Sequence, residues 1–235
     1  MKRVLSLVLV LLVSVNALAA QSAADRWVEG RNYSLLRPIQ HTHVSAGKIE
    51  VMEVFSYGCP YCNRFQPVME RLKKSLPANA QMVYLPASYS TAEDWPTFQR
   101  AYFAAQALGI GDKTHQAMYD AVWKTGELAI IDPTTHRLKS PQPSLEDVAR
   151  CYGRLTGVKP QDFLSTAHSF GVDTRIKAAD AQVIAMQVPG TPCLVVNGKY
   201  RINMDTLGSD DDVIAIVGAL VAKESRQPSR ASARL

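Results

Sequence analysis

Cys59 and Cys62, separated by Pro60 and Tyr61, are the residues whose type and spacing are best suited to chemistry. A thiol at the start of a helix faces unpaired backbone N–H groups and the positive end of the helix dipole, and both favour the thiolate. With Cys59 in that position, its pKa falls below the free value of about 8.5, which makes it a good leaving group in thiol-disulfide exchange. Cys62, three residues further on, can reach back to close a ring with Cys59 and then acts as the shielded, resolving thiol. Other uses of such a pair compete. A structural zinc needs two more ligands at suitable spacing, and Cys151 and Cys193 stand singly. A purely structural disulfide across so short a loop restricts the unfolded chain little. A soft Cu(I) site in a metal-tolerance protein needs a third soft ligand, for which Cys193 or a methionine is the candidate.

To work this way, the pair must sit at a turn from strand to helix. Lys48 to Tyr57 is dense in β-branched and aromatic residues and reads as a buried strand, punctuated by Gly58, Cys59 and Pro60. Phe65, Val68, Met69, Leu72 and Leu76 then recur at helical spacing. Pro60 falls where a first-turn proline is tolerated. Pro67 lies inside the helix, where it removes a backbone hydrogen bond and should kink the axis, leaving the first turn as a separately oriented piece. Glu53 interrupts the apolar strand. It is either a buried acid, costly unless protonated or paired, or a structural or solvent-facing residue.

Ala80 to Leu85 is a second strand, and from about Thr91 to Gln187 nearly every periodic segment is helical. Helices are expected over Phe98 to Leu108, over Lys113 to Trp123, from a capping box of Ser144 and Asp147 to Leu155, and over Pro160 to Phe170, with Asp173 capping the next. Thr191 to Val196 and Lys199 to Ile202 flank Asn197-Gly198, a strong hairpin signal. A last helix spans Asp210 to Lys223, capped by Ser209. The order predicts an α/β fold: a discontinuous domain over 20–90 and 177–223, a helical insertion over 91–176, and a disordered basic tail over 224–235.

Met1, Lys2 and Arg3, an apolar run from Val4 to Val15, and Ala17-Leu18-Ala19 read as a secretory signal peptide over 1–19. The run is short of the roughly 20 residues a membrane span needs. Export puts the cysteines in an oxidising compartment, where disulfides persist. Losing Lys2 and Arg3 takes the formal charge from +5 to +3, a balance that points to no nucleic-acid partner. No cofactor or metal is expected: His41 and His43 before a Gly turn make a weak metal pair, and His115, His136 and His168 read as helix or loop surface. Cys193 has three open readings: core residue, partner of Cys151 in a structural disulfide, or redox participant.

The stretch VMEVFSYGCPYC, from Val51 to Cys62, resembles the active-site strand and turn of the DsbA family of exported thiol:disulfide interchange proteins. GTPCLVVNGKY, from Gly190 to Tyr200, resembles the family's cis-proline loop and following hairpin, and the helical stretch lies between them as the family's insertion does. The resemblance extends to about Val221 and implies a thioredoxin-like fold with an inserted helical domain. It further implies a redox-active Cys59–Cys62 disulfide, and a cis bond between Thr191 and Pro192 beside the Cys59 sulfur. There proline offers no N–H, and the Thr191 backbone can pair with an extended client peptide. Glu53 would lie beneath the dithiol and move protons to and from Cys62. The implied activity is periplasmic: introducing disulfides into reduced, unfolded exported proteins, with reoxidation by a membrane quinone-linked thiol oxidase of the DsbB type. The family's isomerases carry an N-terminal dimerisation domain. Only about forty residues separate Ala19 from Cys59, too few for such a domain, so a monomer is expected.

The sequence departs from the best-known members at Tyr61, where they have histidine, at Thr191, where they have valine, and at Pro67, where they have an acidic residue. These changes are expected to raise the Cys59 pKa above the roughly 3.5 of DsbA itself and to make the couple less oxidising. A disulfide reductase or isomerase is therefore the alternative direction on the same fold.

Overall fold

The computed structural model describes residues 26–226, so the expected signal segment 1–19 and residues 227–235 of the expected basic tail lie outside the described residues. The strands are β1 (Tyr33–Leu35), β2 (Ile49–Phe55), β3 (Ala80–Pro86), β4 (Cys193–Val196) and β5 (Tyr200–Ile202). They form one sheet in the order β1-β5-β4-β2-β3. The α-helices are α1 (Pro60–Ser75), α2 (Trp95–Ala107), α3 (Gly111–Trp123), α4 (Leu145–Thr156), α5 (Pro160–Ala167), α6 (Phe170–Ala185) and α7 (Asp210–Arg226). The α/β order of strands, helices, strands and a final helix is the one the periodicities predicted.

The chain divides into two compact units: one comprises residues up to Val51, Arg71–Met82 and Val195 onward, the other Met52–Glu70 and Val83–Leu194. The first unit contains part of every strand. β5 pairs antiparallel with β1 and with β4, and the β4–β5 turn is the predicted Asn197-Gly198 hairpin, with φ of 53° and 61°. α7 buries Val213, Ile216, Val217, Leu220 and Val221, a stripe at helical spacing. Near its end, Glu224 accepts hydrogen bonds from Asn197 Nδ2 (2.7 Å), Lys199 Nζ (2.8 Å) and the Tyr200 hydroxyl (2.7 Å), fixing the hairpin to the helix.

In the second unit, α2 packs against α3, α4, α5 and α6. Its buried side runs through Trp95, Phe98, Ala101, Tyr102, Ala104 and Ala105, and the alanines let neighbouring helices approach closely. α4 begins with the predicted capping box: Ser144 Oγ accepts from Asp147 N at 3.2 Å, and Asp147 Oδ2 accepts from Ser144 N at 2.8 Å.

Local details differ from the sequence reading. Ser169 caps α6 through Val172 N, while Asp173 pairs with Arg100 at 2.7 Å, because a serine four residues earlier already satisfies the N-terminal donors. Pro67 falls inside α1, as expected, and the helix is continuous across it. A proline removes one backbone bond, and the buried Val68, Met69 and Leu72 continue the helix beyond it. β1 is only three residues long and carries no readable alternation.

Gly198 combines a left-handed φ with a close approach: a Cβ there would lie 2.3 Å from the Gln40 carbonyl oxygen. Gly198→Ala is expected to destabilise the protein by more than about 1 kcal/mol, read as a lower urea midpoint at unchanged slope.

Candidate active site

β2 lies between β4 and β3 in the sheet, and all seven of its residues are buried. It delivers the chain into a turn that leaves almost no freedom. Gly58 N donates to Ser56 Oγ at 3.1 Å, and Cys59 N donates to the Ser56 carbonyl at 3.1 Å. A Cβ on Gly58 would lie 2.3 Å from the Glu93 carbonyl oxygen and 2.9 Å from Trp95 Cδ1, so only glycine fits here. α1 then starts at Pro60, which makes Cys59 its N-cap. The Cys59 sulfur takes the place of a capping oxygen and accepts a hydrogen bond from Cys62 N at 3.4 Å.

On its other side, Cys59 Sγ donates to the Thr191 carbonyl at 3.4 Å, and the Thr191–Pro192 bond is cis. The Cys59 thiol is nevertheless lowered from its ordinary 9.0 to about 6. The Cys62 side-chain hydrogen bond is the largest cause, working against burial, with the Thr191 side chain and the backbone of Cys62 and Tyr61 adding to it. Cys62 moves the opposite way. Fully buried, it is pushed well above the ordinary thiol value by desolvation, then by its Cys59 contact and by Glu53. One sulfur is ready to carry charge and the other to hold a proton.

Glu53 is fully buried, which excludes a solvent-facing strand residue. Its two carboxyl oxygens have no hydrogen-bond partner, and burial, followed by the Cys59 charge, raises its pKa to about 8. Tyr61 turns outward, 63% exposed, with the Arg64 guanidinium 4.5 Å above its ring. Cys151, buried on α4, is raised to about 11 by burial and then by Glu127. Cys193, also buried, opens β4 directly after Pro192. The two lie on different elements, Cys151 on α4 beside Arg154 and Cys193 at the start of β4.

Several neighbours escaped the sequence reading. His115 is a buried residue of α3 rather than a surface one, with Nδ1 3.0 Å from the Tyr57 hydroxyl and its ring 4.1 Å from that of Tyr84. Trp123 Nε1 donates to the Tyr57 carbonyl at 2.7 Å, holding the strand end two residues before Cys59. His115, Tyr119 and Trp123 recur every four residues, the spacing of one helix face, and that periodicity was the available signal. Among the described residues there is no group of three or more His, Cys, Asp or Glu side chains arranged to hold a metal ion. Nor is any helix there long and apolar enough to cross a membrane.

Comparison with known proteins supplies an independent line. The family model of the DSBA-like thioredoxin domain matches residues 50–212. The thiol:disulfide interchange protein DsbA of Pseudomonas aeruginosa is 30% identical over 225 residues, spanning 95% of this chain and 97% of that protein. The DsbA of Azotobacter vinelandii is 30% identical over 195 residues, 83% of each chain. Among solved structures, the oxidoreductase DsbA of Xylella fastidiosa superposes with a TM-score of 0.72 at 29% identity, covering 84% of this chain and 97% of that one. The P. aeruginosa DsbA structure gives 0.70 at 30% identity, covering 90% and 99%.

The two acidities give pH-dependent predictions. A thiol held below its unfolded pKa stabilises the reduced protein fully above the unfolded value, and that contribution is lost as pH falls through the folded value. The Cys59 contribution is therefore expected to fade between pH 9 and about 6, with iodoacetamide reactivity titrating near 6. Glu53 has the opposite sense: its raised pKa costs stability increasingly as pH climbs from 4.5 to about 8. Glu53→Gln is expected to be more stable than the parent at pH 8, with the gain vanishing near pH 4.5, as measured by urea unfolding of the reduced proteins.

Proposed function

For a chain that belongs to the DSBA-like thioredoxin-domain family and is a thiol-disulfide oxidoreductase, we propose the oxidising direction: it introduces disulfides into reduced, unfolded exported proteins in the periplasm. The observation that carries this is the split between the two sulfurs, Cys59 lowered to about 6 and Cys62 raised well above the ordinary value. Stabilising the thiolate of the reduced form makes the oxidised form the better electron acceptor.

In the oxidised state, Cys59 and Cys62 share a disulfide. A client thiolate attacks Cys59 Sγ, the S–S bond breaks, and its electron pair goes to Cys62. Glu53, the proton relay, hands its proton to Cys62, whose raised pKa favours the neutral thiol. The client's second thiolate then attacks its own sulfur in the mixed disulfide and expels Cys59 as a thiolate. Two electrons have moved to the enzyme, and the client leaves oxidised. The Thr191 backbone beside cis-Pro192 docks the client as an extended strand, while Pro60 and Tyr61 tune the Cys59 thiolate from between the cysteines. A membrane quinone-linked thiol oxidase of the DsbB type returns the dithiol to the disulfide, and the enzyme acts as a monomer. The basic start and apolar run of the N-terminal segment support export.

One observation favours the reducing or isomerising direction. A Cys59 pKa of about 6 lies closer to thioredoxin's value of about 7 than to the roughly 3.5 of DsbA. The reduction potential against glutathione separates the directions: an oxidant is expected to fall nearer DsbA's roughly −120 mV, a reductant near thioredoxin's roughly −270 mV. Catalytic oxidation of a reduced, unfolded client is the direct test, and the oxidising reading fails if the oxidised protein leaves that client reduced. Tyr61→His is expected to lower the Cys59 pKa further and shift the potential upward, measured by thiolate absorbance against pH and by glutathione equilibration.

A further inference from the structure

Each turnover in the reading above leaves Glu53 as a carboxylate in a fully buried site, and the buried polar side chains among the described residues include no lysine or arginine to meet that charge. The titratable groups that feel its charge are Cys59 and Cys62 at the turn, Tyr84 on β3 and Tyr119 on α3, and Tyr57, Tyr102 on α2 and His115 on α3 pack against the neighbouring Phe55.

Tyr119 differs from the others in its placement. Strand alternation puts Glu53 and Phe55 on the same face of β2, and the Tyr119 ring lies 6.3 Å from that of Phe55 and 5.1 Å, edge-on, from that of Tyr57. α3 is held against this segment on both sides of Tyr119, four residues earlier by the His115–Tyr57 contact of 3.0 Å and four residues later by the Trp123–Tyr57 bond of 2.7 Å. The Tyr119 hydroxyl is buried without a hydrogen-bond partner, as are both Glu53 oxygens, and Glu53 is the charge that acts on it most strongly. Burial holds the phenol protonated, so it is a donor throughout the working pH range. A donor and an acceptor pair, both desolvated and lying on facing elements, gain most when the acceptor becomes charged.

We propose that Tyr119 donates the hydrogen bond that holds Glu53 as a carboxylate once its proton has passed to Cys62, replacing a buried cation as the positioning residue of the proton step. This rests on the reading of Glu53 as the proton store. The step itself is balanced: the client's attack sends the S–S electron pair to Cys62, the Glu53 proton neutralises it, and the carboxylate stays behind against the Tyr119 O–H.

Tyr119→Phe removes the hydroxyl and keeps the ring. The Glu53 side-chain carbon signal, followed by heteronuclear NMR in the folded, reduced protein, gives its titration midpoint, and single-turnover oxidation of a client gives the matching pH profile. In Tyr119→Phe both midpoints are expected to rise by about one unit, the tenfold change expected for losing one hydrogen bond to a charged group. Tyr84→Phe serves as the rival donor and should move them less. Midpoints that coincide with the parent's in Tyr119→Phe, or that move more in Tyr84→Phe, overturn the assignment to Tyr119. Glu53→Gln separates the two layers. A kinetic step near pH 8 that survives it sinks the proton-store reading and this inference with it, whereas loss of the step beside an unmoved Tyr119→Phe overturns Tyr119 alone.

Discussion

The Cys59 sulfur stands where a helix normally places a capping oxygen, and much of the second unit is arranged to keep it there. A sulfur accepts hydrogen bonds less well than an oxygen until it is ionised. The helix end is therefore best capped by the thiolate, and fold and chemistry draw on the same backbone donor at Cys62. Accuracy matters at this scale because the sulfur is held by a few short contacts, among them the Cys62 N–H on one side and the Thr191 carbonyl on the other. Gly58 lets Glu93 and Trp95 close over the turn without a side chain in the way, and Trp123 fixes the carbonyl just before it.

Beneath that cap the protein carries a cost. A carboxyl with both oxygens buried and unpartnered lowers stability at neutral pH, and an apolar residue of similar size would pack there more favourably. Such a violation of ordinary core chemistry is what a working site looks like when local stability and function conflict. Glu53 shares its face of β2 with Phe55, whose ring meets those of Tyr57, Tyr84 and Tyr102 edge to face, so the dielectric on that face is low. Low dielectric separates the two thiols as well, because burial raises Cys62, while at Cys59 the Cys62 side-chain hydrogen bond, then the Thr191 side chain and the backbone of the helix end, outweigh burial.

The direction of electron flow depends on groups at the rim of this site. Tyr61 offers the thiolate neither a cation nor a ring N–H, and its exposed face is stacked on Arg64. The lowering of Cys59 therefore comes from Cys62, the backbone and Thr191. Membership of the family establishes thiol-disulfide exchange, and these few contacts set how strongly the disulfide pulls electrons from a client.

The dithiol, its strand-to-helix turn, the hairpin at Asn197-Gly198 and the α/β order were all legible in the sequence, because each rests on local rules: spacing, capping, and the backbone freedom of glycine and asparagine. The same rules misjudged His115 as a surface residue and Asp173 as a cap, since whether a helix face is covered depends on elements distant in sequence. Glu53 marks the boundary most clearly. Its presence in an apolar strand was visible at once, but its complete burial, and Tyr119 as its neighbour, emerged only when α3 came to lie over β2. Chain order determines which groups are available. Only packing determines which of them lose water together, and desolvation sets their acidities.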